Sequence, residues 1–344
     1  MSFSVGIVGL PNTGKSTLFK ALTKKQVDIA SYPFTTIHPN VGIVAVPDER
    51  LEKIASVIRP QKTTETVIEF VDIAGLVKGA HKGEGLGNQF LAHIRNCDAV
   101  VEVVRVFKNP DIEHVGGEIN PETDIETVKT ELSMKDLETI EKAIGKIEES
   151  TPGVTKKLEL LKKIKEALSE NKLIANLDLT DEEKLEIKEY QFLTAKPRVY
   201  VFNINGQQKE KPYLKFELKH LEINLKDEEE MSELSGSEIK ELEMKSSLDQ
   251  LILACYNVLD LITFFTVAGG KEVKAWTIKK GATALRAARN VHSDFAEKFV
   301  RAEVIPWQKL VKATSWTKAK ESGWIKTVGK EYLVQNGDVI EFKI

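Results

Sequence analysis

The chain has 344 residues, 42% of them hydrophobic and 29% charged, with a formal net charge of −3. That length and composition predict two or three domains with sizeable cores. No stretch is long and apolar enough to span a bilayer, Lys15 interrupts any signal-peptide pattern, and Cys97 and Cys255 cannot build a disulfide framework or a metal site, which makes the cytoplasm the expected compartment.

The first predicted element is a buried strand over Phe3 to Val8, and Leu18 to Leu22 continues as a helix. Between them Gly9-Leu10-Pro11-Asn12-Thr13-Gly14-Lys15-Ser16-Thr17 spells G-x-x-x-x-G-K-[ST]. A strand–loop–helix with that spacing turns backbone N–H groups and a helix N-terminus onto phosphates, so Asn12 to Thr17 are candidate nucleotide contacts. Lys15 would reach the β- and γ-phosphates, and the Ser16 hydroxyl would meet Mg²⁺. Further buried strands are predicted at Val67–Val71 and Ala99–Val106, with a helix from Asn88 to Arg95 between them. This alternation predicts a mostly parallel sheet covered by helices, with ligands at the carboxyl ends of its strands.

From about residue 126 to 195 the pattern changes. Leu137, Ile140, Ile144 and Ile147, then Leu161, Ile164 and Leu168, recur at helical spacing around the turn signal Thr151-Pro152-Gly153. A coiled-coil helical hairpin is predicted. Arg198 to Phe202 reads as a buried strand again, so the hairpin is an insertion into one nucleotide-binding domain made of residues 1–125 and 196–260. Lys226 to Glu230 reads as a charged surface stretch, and Leu248 to Leu261 as a closing helix.

Residues 261–344 mix strands at Val273–Ile278, Glu331–Val334 and Val339–Lys343 with a helix from Ala282 to Lys298, and Asn336-Gly337-Asp338 forms a tight turn. A small α+β module of β-grasp type is expected. It holds 15 Lys and Arg against 8 Asp and Glu, a net +7 where the rest of the chain carries −10, and all four tryptophans. That balance suits an anionic partner such as RNA; an inert basic surface with tryptophans in its core is the even alternative.

Asp72-Ile73-Ala74-Gly75 follows a predicted strand about 55 residues after the phosphate loop. An Asp there is the carboxylate that holds Mg²⁺ from its outer coordination sphere, and Gly75 leaves its N–H to meet the γ-phosphate. Leu76 stands where many GTPases place a water-orienting Gln, so hydrolysis needs another group or is slow. Lys78 to Asn88, with four glycines, reads as a mobile loop. In Tyr32 to Asn40, Thr36 is the candidate second hydroxyl for Mg²⁺, with Thr35 close behind. No Asn-Lys-x-Asp occurs; Asn203-Ile204-Asn205-Gly206 stands at its place, without a carboxylate to read guanine. Adenine is therefore expected, with Asn203 on the base and Ile204 against its face. Asn12 is a candidate to help a monovalent cation such as K⁺ bridge the phosphates.

Gly9–Thr17, Tyr32–Asn40, Asp72–Asn88 with its Gly-Leu-Gly-Asn-Gln-Phe run at 85–90, and Val267–Ala284 together resemble the YchF/Obg-like ATPases among the P-loop proteins, and the resemblance runs essentially end to end. It implies preference for ATP over GTP, a helical insertion, a C-terminal TGS-like β-grasp domain and association with the ribosome. It also implies a hydrophobic residue in place of the catalytic Gln, as Leu76 provides. The family's hydrolytic histidine, on a mobile loop after the Ala99–Phe107 strand, matches His114; His81 is a weaker second candidate. Two departures stand out. Gly206 replaces the Glu of the usual Asn-x-x-Glu, and Glu102 stands where many relatives have His. A Glu among valines needs a partner or a raised pKa.

The expected protein is thus a slow, Mg²⁺-dependent ATPase that acts as a switch on the ribosome, monomeric and without membrane contact. The catalytic group would be His114, Lys15 and Gly75, and the metal group Ser16, Thr36 and Asp72. A GTPase of the same architecture and a non-catalytic, nucleotide-dependent RNA- or ribosome-binding protein are the rivals.

Overall fold

The structure, a computed structural model, describes residues 3–25, 40–73, 87–147, 154–206, 218–234, 238 and 246–344. Its strands in chain order are β1 (Ser4–Val8), β2 (Val41–Ala45), β3 (Lys62–Thr64), β4 (Val67–Asp72), β5 (Ala99–Arg105), β6 (Arg198–Asn203), β7 (His220–Ile223), β8 (Leu261–Ala268), β9 (Glu272–Lys279), β10 (Arg301–Pro306), β11 (Lys326–Val328) and β12 (Asp338–Lys343). They form two six-stranded sheets.

The first sheet has the order β2-β4-β1-β5-β6-β7, and every neighbouring pair is parallel except β2 with β4 at the edge. Its central strands are mostly apolar because helices cover both faces; all seven residues of β5 are buried, Glu102 and Arg105 among them. On one face α1 (Lys15–Lys24) and the helix Leu248–Val258 pack Leu18, Leu22, Leu251 and Ile252 against Val5, Phe70 and Val101. On the other, α3 (Gly87–Asn96) and the start of α4 (Pro121–Lys146) bring Leu91, Ile94, Val128 and Leu132 against Val8 and Val100. All the carboxyl ends of the parallel strands therefore open at one rim.

The helix that leads into the helical block, α4, starts at Pro121. Asn120 caps α4 through its Oδ1, which accepts from Thr123 N–H, and Pro121 occupies the first turn, where its missing N–H costs nothing. Beyond the nucleotide-domain core the same helix carries Ile140 into a separate core with Leu161, Ile164 and Leu168 of α5 (Val154–Ser169), Ile187 of α6 (Asp181–Ile187), and Ile174, Leu179 and Phe192 of the returning chain. The two long helices share one layer of a small helical domain, and the returning segment closes it.

The second sheet has the order β11-β10-β12-β8-β9-β3. Its core takes Phe264, Ala284, Ala287 and Val304, among others. Three expectations are corrected here. Glu331–Val334 is no strand, only a single bridge between Thr283 and Leu333. The helix predicted over Ala282–Lys298 is two, Ala284–Val291 and Ser293–Glu297, because His292 is extended and its Nδ1 caps the second by accepting from Asp294 N–H. In the nucleotide half, Lys226–Glu230 lies in α7 (Leu225–Met231), where buried Glu228 accepts from Ser246 Oγ and Ser247 N–H. All four tryptophans pack half-buried against the C-terminal cores. Among the described residues no helix is long and apolar enough to cross a membrane.

Candidate nucleotide site

The loop after β1 turns where only glycine fits. Gly9 has φ +147°, and a Cβ there would lie 2.4 Å from the Val103 carbonyl oxygen; at Gly14, φ +105°, it would lie 2.5 Å from Asn203 Nδ2. Gly14 is the N-cap of α1, so the helix N-terminus faces the loop. Thr13 is buried and its hydroxyl donates to the Leu10 carbonyl at 3.0 Å, which fixes the loop and keeps that oxygen out of ligand contact. Lys15 Nζ donates to the same carbonyl at 2.6 Å. Burial pulls its pKa down to about 8, against the opposing pull of the Asp72 carboxylate. Asp72 ends β4, in register with Ile7, and burial raises its pKa while Lys15 lowers it. Ser16 is exposed in the first turn of α1.

Asn12, Gly14, Lys15, Ser16, Thr17, Asn203 and Ile204 line one cleft of about 1000 Å³ at the rim where β1, β5 and β6 end. Its far wall is Asn205, Gly206 and the start of α7. The Ser16 hydroxyl and the Asp72 carboxylate are hard oxygen donors of the kind Mg²⁺ takes beside phosphate oxygens and water, so the donor set fits that ion. Thr35, Thr36, Gly75, Leu76 and His81 lie outside the described residues.

Asn203 is tied to the phosphate loop. Its Nδ2 donates to the Thr13 carbonyl at 2.9 Å, and its Oδ1 accepts from Leu225 N–H at 3.4 Å. Both ends of the amide thus brace the phosphate loop against β6 and α7, because the side chain leaves β6 directly beneath Gly14. Asn203, Ile204 and the half-buried Asn205 all line the cleft from this turn, and Asn203 keeps one N–H and one lone pair beyond these two bonds.

His114 also departs from its expected setting. It is 8% exposed, and its Nε2 lies 2.9 Å from Asp124 Oδ2 in the first turn of α4, while its Nδ1 accepts from Gly116 N–H at 3.1 Å. With Nδ1 accepting from Gly116, the tautomer that fits both contacts carries its hydrogen on Nε2 and donates to Asp124. The preceding loop is fixed from beneath. Fully buried Arg105 donates from Nε, Nη1 and Nη2 to the carbonyls of Phe107, Ile112 and Asn109, each at 3.1 Å, and its guanidinium lies over the Phe107 ring. From the phosphate loop, Asn12, at φ +62°, donates Nδ2 to the Glu113 carbonyl at 3.2 Å. Sequence reading missed Arg105 and Asp124. A lone Arg inside the apolar run Ala99–Val106 was the available signal; an Asp in a helix's first turn is too common to be one.

Glu102 is 1% exposed and finds the partner it needs: Arg198 Nη1 donates to its Oε2 at 2.6 Å across the β5–β6 pair. Burial still lifts its pKa to about 7 against that guanidinium.

A family model of the C-terminal domain of YchF GTPases, described as a protein of unknown function, matches residues 261–344, and one described as 50S ribosome-binding GTPase matches residues 4–142. The chain is 44% identical to the ribosome-binding ATPase YchF of Bacillus subtilis over 100% of its length and 99% of that protein's. Against the protein of the same name from Escherichia coli O157:H7 it is 45% identical over 99% of both. The chain belongs to the YchF family. The solved YchF GTPase of Schizosaccharomyces pombe superimposes with a TM-score of 0.86 at 34% identity, covering 99% of this chain and 98% of that one. The family fold is therefore the fold of this chain: a P-loop domain and a C-terminal sheet domain, with α4 leading into the helical block.

Proposed function

We propose that this protein is a Mg²⁺-dependent ATP hydrolase that acts as a switch on the ribosome. The observation that carries the reading is end-to-end identity of 44% and 45% to bacterial proteins named ribosome-binding ATPase. Lys15 and the loop N–H groups would hold the phosphates and offset charge in the transition state. Ser16, Asp72 and Thr36 would hold Mg²⁺, which supplies charge neutralisation at the phosphates, and Gly75 N–H would meet the γ-phosphate. His114 would orient the attacking water, with Leu76 unable to do so. Ile204 would pack on the adenine that Asn203 reads, through the N–H and lone pair its loop contacts leave free. The Oδ1 of Asn12 would serve a K⁺ ion. The basic 261–344 module would meet ribosomal RNA, with the protein acting as a monomer in the cytoplasm. The domain division is 1–125 with 196–260, then 126–195, then 261–344.

A GTPase is the second reading, favoured by Gly206 and by Asn205, since an amide can donate and accept toward either purine. Competition of ATP and GTP for a fluorescent nucleotide in Mg²⁺ and K⁺, with hydrolysis followed in the same samples, decides between them. Tighter ATP binding with ATP turnover supports the first reading; equal or reversed preference removes the ATPase label. Co-sedimentation with ribosomes that is the same in ATP and ADP would remove the switch. The pH profile has a definite sign. Lys15 loses its charge above about 8, so ATP affinity should hold from pH 6.5 to about 8 and fall above it. An affinity flat to pH 9.5 would show that Lys15 stays charged in the empty site.

A further inference from the structure

The segment carrying His114 is held by contacts of two kinds. Its stem, Phe107 to Ile112, is fixed by three hydrogen bonds from Arg105, a residue of the sheet itself. Its tip, Glu113 to Gly117, is held by two side chains from outside the loop: Asn12 on the Glu113 carbonyl and Asp124 on the His114 ring. The cleft wall takes Asn109, Pro110 and Ile112 from this loop but not His114. Both ring nitrogens are engaged elsewhere, so in this arrangement the imidazole has neither a free acceptor nor a free donor for a water molecule. Gly117, at φ +81° with open space around its Cβ position, gives the tip a pivot.

Asp124 stands on a helix that belongs to two cores. Ile125, Val128 and Leu132 of α4 pack in the nucleotide domain, and Ile140 of the same helix packs with α5 and α6 in the helical block. A load on the helical block is therefore delivered along one continuous 26-residue helix to the turn that holds His114.

We propose that Asp124 is a latch on His114: closed, it keeps the imidazole behind the cleft wall, and displacement of the first turn of α4 by a partner seated on the helical block releases the ring to the attacking water. The inference rests on the hydrolytic role of His114 proposed above and adds the residue that regulates it. Asn12 supplies a second tether from the phosphate loop, so the tip answers to the bound nucleotide as well as to the helical block. Asp124 is a positioning residue, acting through the His114 ring.

The test compares single-turnover ATP hydrolysis by the full chain in the wild type, Asp124→Ala, Asp124→Asn, His114→Ala and the double variant His114→Ala/Asp124→Ala. Asp124→Ala should raise the rate about tenfold at unchanged KM for ATP, the order of effect that losing one charge-assisted hydrogen bond has on a two-state equilibrium. Asp124→Asn keeps an acceptor without the charge and should fall between. In the double variant the gain should vanish. Long-range ¹H–¹⁵N spectra of the wild-type histidine rings should show one neutral Nε2–H imidazole that Asp124→Ala releases, a readout independent of turnover. A rate that falls with Asp124→Ala as far as with His114→Ala would make Asp124 an orienting partner and end the latch. So would a gain that persists without His114, an unchanged rate, or a wild-type ring that is already free. Absence of any turnover in the wild type would sink the hydrolase reading itself, and the latch with it.

Discussion

The C-terminal sheet and the helical block both hang on the nucleotide domain, and they are attached in opposite ways. The C-terminal sheet is laminated to it. Strand β3, from the stretch between β2 and β4, pairs in parallel with β9 and becomes the sixth strand of the second sheet. Leu51 and Ile54 of α2 (Glu49–Ile58) enter the C-terminal core beside Phe265 and Leu310. Across the seam Arg50 holds both carboxylate oxygens of Asp48, donates to Asn336 Oδ1 at 2.8 Å and lies over the Phe265 ring. Thr66, Tyr256, Thr263 and Thr277 share a buried hydroxyl network. The helical block, by contrast, has its own core and connects through α4 outward and one returning segment inward. Lamination shares backbone hydrogen bonds and core, so two parts unfold and move together. A single helix transmits displacement while leaving its far core independent.

The largest expected effect breaks the return of the helical block into the first sheet. Glu102→Leu strands the buried guanidinium of Arg198, which stands two residues after that return, and should cost roughly 3–5 kcal/mol in urea unfolding. The double variant Glu102→Leu/Arg198→Met should recover most of it; a double variant as unstable as the single would mean that the charge pair is not the cause. Next comes Asp136, fully buried on α4, which accepts from Leu193 N–H, Thr194 N–H and Thr194 Oγ at 2.7–2.9 Å. Asp136→Ala leaves those donors unpaired and should cost about 2–4 kcal/mol. The loss should appear as protease sensitivity within 121–196 while the C-terminal tryptophans keep their native fluorescence, and cleavage spread evenly over the chain would contradict the independent core. The smallest effect tests the laminated seam. Arg50→Ala removes a half-buried ion pair and should lower stability by about 1 kcal/mol. Because all four tryptophans lie beyond residue 261, fluorescence follows the C-terminal cores. Their unfolding midpoint should stay with that of the first sheet measured by hydrogen exchange, and separate midpoints would show that the seam is not cooperative.

The site was legible to different depths at different residues. Gly14, Lys15 and Ser16 were readable because a phosphate loop is built within nine consecutive residues, where chain geometry alone brings the groups together. Asn203 lines the cleft, but its hold on the Thr13 carbonyl was not legible, because that contact depends on how closely Gly14 passes beneath the strand end. Arg105 and Asp124 stood 19 residues apart with no shared motif, and their joint grip on the His114 loop exists only once α4 packs against β5.

By itself the sequence determined the parallel sheet, the phosphate loop, the helical block and the separate basic module, because each follows from local periodicity, turn chemistry or composition. Tertiary structure alone decided that β3 crosses to the second sheet, that Glu102 is answered by Arg198, and that His114 meets Asp124. Those are pairings between residues far apart in the chain, fixed by which surfaces bury against one another, and no local pattern encodes them.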